Sequence, residues 1–66
     1  MKPEDIKAGR TYVGKGGRRR RAENIFGLSQ AGNRWIIRYS YFHGGVKRKT
    51  GLLDAFAAWA EKEVPS

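Results

Sequence analysis

The chain has 66 residues, no Cys, one His and one Met, and its 14 Lys and Arg against 6 Asp and Glu give a formal charge of +8. This length suits a single domain, 1–66. Without Cys there is neither a disulfide nor a thiolate metal site, which fits a reducing, cytoplasmic setting. No run of about 18 apolar residues is present, and Met1-Lys2-Pro3-Glu4-Asp5 lacks an apolar core, so neither a membrane span nor a signal peptide is expected.

A chain this small buries little of its surface and must be stapled by large apolar side chains. Trp35, Trp59, Phe26, Phe42, Phe56, Tyr12, Tyr39 and Tyr41 supply that bulk, together with the aliphatic residues. The chain is therefore read as globular, as a monomer or a homodimer. Its charge is uneven. Residues 1–51 hold 13 basic and 3 acidic side chains, net +10, whereas residues 52–66 hold 1 basic and 3 acidic ones, net −2. Such asymmetry points to a polyanionic partner.

In chain order, Pro3-Glu4-Asp5-Ile6 reads as one helical turn, with proline early and acids facing the positive helix end. Gly9 stops it, and Arg10 to Val13 is a short strand. Gly14-Lys15-Gly16-Gly17 is a loop. It matches no nucleotide-binding fingerprint, because arginines and a strand follow it rather than a helix. Arg18 to Leu28 is a second strand. Ala22, Phe26 and Leu28 share one parity and Ile25 the other, which a bulge near Asn24 reconciles. Ser29 to Asn33 is a hairpin loop. Arg34 to Phe42 has Trp35, Ile37, Tyr39 and Tyr41 on one face, the period of a half-buried strand.

His43-Gly44-Gly45 is a tight turn and Val46 to Thr50 a fourth strand. Leu52 to Val64 reads as a helix. Leu53, Phe56, Ala60 and Val64 form its stripe, Asp54 lies in its first turn, Thr50 is a candidate cap and Pro65 a stop. Glu61 and Glu63 suit the negative end of a helix poorly, so they are expected in solvent or paired with basic residues of the sheet. The expected fold class is α+β, mostly β: a small antiparallel meander of about four strands, or a partial barrel, with a C-terminal helix closing it.

The succession Ile6-Lys7-Ala8-Gly9-Arg10-Thr11-Tyr12, a basic strand, Trp35 to Tyr41 and Phe56-Ala57-Ala58-Trp59-Ala60 resembles small SH3-like barrel proteins. In layout it is similar to short uncharacterised proteins of phages, prophages and plasmids. The resemblance implies an SH3-like fold and a mobile-element origin. It assigns no activity, because such barrels serve both nucleic-acid and protein recognition.

The candidate functional residues are cationic and aromatic. Arg18, Arg19, Arg20 and Arg21, with Lys15 in the loop before them, offer forked and point charges to phosphates. On a strand, Arg18 and Arg20 face one way and Arg19 and Arg21 the other. Lys47, Arg48 and Lys49 lie beyond the tight turn. A stripe across three strands is expected, running from Arg19 or Arg21 through Arg38 to Lys47 and Lys49. Tyr41 and Phe42 are the candidates for stacking on bases. Trp35, Tyr39, Phe56 and Trp59 are assigned to the core. His43 has no Cys or second His to form a metal site or dyad and is read as a turn residue.

The acids form no recognisable pair and no serine sits in a nucleophile elbow, so the chain is read as a non-enzyme without metal or cofactor. The leading reading is a nucleic-acid-binding accessory module, for DNA or RNA, making phosphate contacts from a basic sheet face. The alternative is a protein-interaction module of a mobile genetic element that docks on an acidic host protein. A membrane-surface role is opposed by the acidic character of the one amphipathic helix.

Overall fold

The alternating segment Arg34–Phe42 forms an interior strand, and the rest of the chain assembles around it and its neighbours. The computed structural model describes residues 1–28 and 34–64. The loop expected at 29–33 and the stop at Pro65 lie outside the described residues. The strands are β1 (Thr11–Gly14), β2 (Arg19–Leu28), β3 (Arg34–Phe42), β4 (Val46–Leu52) and β5 (Ala60–Val64), with a helix α1 (Leu53–Trp59) between the last two. Short 3₁₀ turns occupy Pro3–Asp5 and Lys15–Gly17. All neighbouring strands pair antiparallel, in the order β4-β3-β2-β1-β5. The sheet is open, with β4 and β5 as its edges, and is not closed into a barrel.

Two differences from the sequence expectation stand out. There are five strands rather than about four, and the expected helix Leu52–Val64 ends at Trp59. Ala60 is extended (φ −72°, ψ 130°), and from there the chain pairs with β1: Thr11 opposite Val64, Tyr12 opposite Glu63, Val13 opposite Lys62. The physical reason is the edge of β1. Without β5 its N–H and C=O groups would be an unpaired row, and a backbone ladder satisfies them. A helix continued through Glu61 and Glu63 would instead put two carboxylates at its negative end. As a strand, Glu63 reaches Arg10, whose Nη1 donates to its Oε2 at 3.1 Å. The pair is exposed and contributes at most about 1 kcal/mol. Thr50 caps nothing; it lies within β4, and the N-cap position belongs to Leu52, which makes no side-chain cap.

β2 contains the expected bulge. Its register against β3 shifts between Ala22 and Asn24, so Ala22 opposes Tyr39 while Ile25 opposes Ile37. The extra residue brings Ala22 and Ile25 to the same face despite their odd separation. On that face α1 closes the core, formed by Ile6, Tyr12, Ala22, Ile37, Leu53, Phe56, Ala57 and Ala60. A two-turn helix is unstable alone and is held here by burial of Leu53, Phe56 and Ala57. Phe56 is the hub. Its ring centroid lies 5.3 Å from Tyr39, 5.4 Å from Trp59 and 5.8 Å, edge-on, from Tyr12. Tyr12 is fully buried, and its hydroxyl accepts from the Lys7 N–H at 2.7 Å and donates to the Asp5 carbonyl at 3.3 Å. That hydroxyl anchors the N-terminal turn onto β1. At the far end of α1 the Met1 amino group donates to the Ala57 and Ala60 carbonyls at 3.0 and 2.9 Å.

Trp59 rests on the backbone of Gly14. A Cβ at Gly14 would stand 2.2 Å from the indole Cε2, although the Gly14 φ of −115° suits any residue. The glycine is required by the ring, not by the backbone angle. Trp35, assigned to the core by its parity, faces the α1 side but is 54% exposed. It covers Gly27, where a Cβ would meet its ring at 3.1 Å.

The two glycines separate these effects. Gly14→Ala should destabilise the domain by about 1–3 kcal/mol, because the Trp59 ring, held between Gly14, Phe56 and Arg20, must be displaced. Gly27→Ala should stay within about 0.5 kcal/mol of wild type, because the exposed Trp35 ring can swing away. Urea unfolding measures both, and equal effects at the two sites would contradict this packing.

Candidate functional site

The β2 register decides which arginines reach the face that carries α1. Arg20 stands opposite both Tyr12 and Tyr41, so its side chain shares their face, and the same holds for Lys47 opposite Tyr41 and Lys49 opposite Tyr39. Arg21 stands opposite Ser40, which stands opposite Arg48, and Arg38 pairs with Asn24 and Thr50. Those residues occupy the other, uncovered face. The expected stripe joining Arg38 to Lys47 and Lys49 therefore divides. Arg38 lies on one side of the sheet with Arg21 and Arg48, and the two lysines lie on the other. The cause is the period of two: Arg38 has the parity of Ser40, not that of Tyr39 and Tyr41.

Beside the aromatic core, at the end of the sheet where β2 begins and β3 turns into β4, is a cleft of about 450 Å³. Its cations are Arg18, Arg19, Arg20 and Lys49, and Tyr39, Tyr41, Phe42 and His43 complete the lining. Arg19, opposite Val13, and Phe42, opposite Val46, have the parity of the uncovered face and border the cleft where the sheet ends. No carboxylate borders it. Arg20 is the best held of these charges. Its guanidinium carbon lies 4.2 Å from the Trp59 ring centroid and 5.0 Å from that of Tyr39, so two aromatic rings hold the group in place. Lys49 sits 5.8 Å from the Tyr41 ring, and Tyr41 lies 6.3 Å from Tyr39. Among the described residues the one salt bridge is Arg10–Glu63, so the cleft cations are held by aromatic rings and backbone position, with no acid neutralising them.

This arrangement can do two things. Oriented guanidinium and ammonium donors meet phosphate or carboxylate oxygens, and the aromatic rims give flat surfaces on which a planar group stacks. Among the described residues no three His, Asp or Glu side chains gather to hold a metal ion.

Of the sequence candidates, Arg18, Arg19, Arg20, Tyr41, Phe42 and Lys49 come together in the cleft. Lys15 is exposed in the Lys15–Gly17 turn and Lys47 is exposed on β4, and neither borders the cleft. Phe42, 78% exposed, pairs with Val46, 72% exposed, beside the tight turn. Tyr39 and Trp59, assigned to the core, are only partly buried and serve as the stacking surface for Arg20. His43, assigned to the turn, lies in the turn and also lines the cleft. The signal that finds Tyr39 is the bulge. With one extra residue counted in β2, Arg20 and Tyr39 fall on one face of adjacent strands. Trp59 arrives from the far end of the chain, and no local pattern announces it.

Replacing Arg20 by Lys keeps the charge but loses the planar group that stacks. Arg20→Lys should lower stability by about 0.5–2 kcal/mol and shift the Trp59 fluorescence maximum, both read in a urea titration. Wild-type stability and an unmoved spectrum would contradict the stacked arrangement.

Comparison of the chain with protein-family models, with curated proteins and with solved structures finds no match, so the reading of this cleft rests on its own side chains.

Proposed function

We propose that the domain is a non-enzymatic nucleic-acid-binding module whose cleft takes a single-stranded segment. The observation that carries this reading is the composition of the cleft: four cations, three aromatic rings and one histidine, with no carboxylate. Phosphates meet Arg18, Arg19 and Lys49, while Arg20 offers a guanidinium already oriented by Tyr39 and Trp59. Unpaired bases stack on the Tyr41 ring, and the exposed Phe42 ring, turned to the other face of β3, offers a second flat surface at the end of the sheet. Recognition is mainly of backbone charge, so sequence preference is weak and binding is salt-dependent. The accessory role in a mobile element follows from the resemblance of the layout to short phage, prophage and plasmid proteins, and it is part of the proposal.

An acidic protein segment would meet the same cations but leave the aromatic rims unused. Fluorescence anisotropy with labelled oligonucleotides distinguishes the two. Single strands should bind more tightly than duplexes of equal length. The log–log salt slope for single strands should be about −3, the value for four neutralised phosphates. The variant R18E/R19E/K49E, with its fold checked by circular dichroism, should lose at least about tenfold in affinity. Duplex binding equal to or tighter than single-strand binding, or full affinity in the triple variant, would overturn the proposal.

A further inference from the structure

The uncovered face of the sheet carries a second set of cations that the cleft does not use. Arg21 and Arg48 flank Ser40 across β2, β3 and β4, and Arg38 follows two residues earlier along β3. All three arginines are exposed. Arg21 and Arg48 stand two strand spacings apart, about 10 Å, and Arg38 is about 7 Å along the strand from their row. Glu23 lies beside Ser40 on this face. Ser40 Oγ donates to its Oε1 at 2.7 Å, which gives the carboxylate a neutral partner, and no salt bridge joins it to an arginine among the described residues. These arginines project from hydrogen-bonded strands rather than from a loop, so their spacing is built into the ladder. No described element packs over them. Unlike the cleft, the face offers them as an open row.

We infer that this face is a second polynucleotide-binding surface, so that one copy of the domain holds two nucleic-acid segments at once, one in the cleft and one across Arg21, Arg38 and Arg48. The inference rests on the nucleic-acid reading of the cleft and extends it from a binder to a bridge. Contact on this face is mainly to the sugar–phosphate backbone, through guanidinium groups that match phosphate oxygens. The sheet and its two layers of side chains hold the two backbones about 20 Å apart, twice the usual 10 Å layer spacing. That exceeds the Debye length of about 8 Å at physiological salt, so their repulsion is screened.

The test uses oligonucleotides of about eight nucleotides, the scale of one single-strand site and too short to wrap around the sheet edge. One is immobilised on beads and loaded with protein; a second, fluorescent one is then added. The wild-type protein should capture the fluorescent strand, and sedimentation of the complex should give one protein copy with two strands. The variant R21Q/R38Q/R48Q should load onto the beads within severalfold of wild type but lose at least tenfold of the second capture. Loading without second capture by the wild type, equal capture by the variant, or bridging only through a protein dimer would overturn the inference while leaving the cleft reading in place. Failure of wild-type protein to load at all would sink the cleft reading itself, and the bridge with it.

Discussion

One extra residue in β2, at the bulge between Ala22 and Asn24, decides which side chains of that strand face α1. Across the Ala22–Asn24 bulge the register against β3 slips by one, and every side chain before it changes face relative to an unbroken strand. Had the pairing of Ile25 with Ile37 continued without interruption, Arg21 would oppose Tyr41 and point into the core, with Ala22 turned outward. With the bulge, Ala22, fully buried, closes the core under α1, and Arg20 is the arginine that meets Tyr39 and Trp59. One inserted residue thus sets both the packing and the identity of the cation that lines the cleft.

The aromatic cluster converts that choice into a rigid feature. Phe56 contacts Tyr12, Tyr39 and Trp59, and Trp59 in turn presses onto Gly14. The helix, the β1 strand and the interior strand β3 therefore share one hydrophobic hub, and its outer rim is the surface on which Arg20 lies. Burial and charge presentation are consequences of the same contacts. A half-buried guanidinium keeps its donors available only where no carboxylate pairs with it; among the described residues the one salt bridge takes Glu63 to Arg10. Among the described residues Arg10 is the one cation of the first fifty-one residues paired with an acid of the C-terminal segment, and the remaining basic excess stands on both faces of the sheet.

Much of this was legible in the residues. The alternation of Trp35, Ile37, Tyr39 and Tyr41 gave β3 its bounds, Pro3-Glu4-Asp5 its turn, and the conflict between Ala22 and Ile25 its bulge. The division of Arg18–Arg21 between two faces also followed from strand geometry. What failed was non-local. Leu53, Phe56 and Ala60 lie at helical spacing, and all three are buried, yet Ala60 already belongs to β5. The need of β1 for a partner outweighs helix propensity there, and it is a need created only when the sheet assembles. The two glutamates at the negative end were the local hint. The expected stripe divides because Arg38 has the parity of Ser40 and not of Tyr39 and Tyr41, and no local pattern marks Trp59 as a support, since its partner arginine lies 39 positions earlier in the chain.

Arg20 lies against Tyr39 and Trp59, and in the proposed complex its donors meet a phosphate. Nuclear magnetic resonance of the Arg20 side chain tests it most directly. Its Cδ protons should be moved upfield by the two rings in the free protein, and its Nε–H resonance should move on addition of a short single-stranded oligonucleotide. Cδ shifts at unstructured values, or an Nε–H that stays fixed while the oligonucleotide binds, would contradict the account.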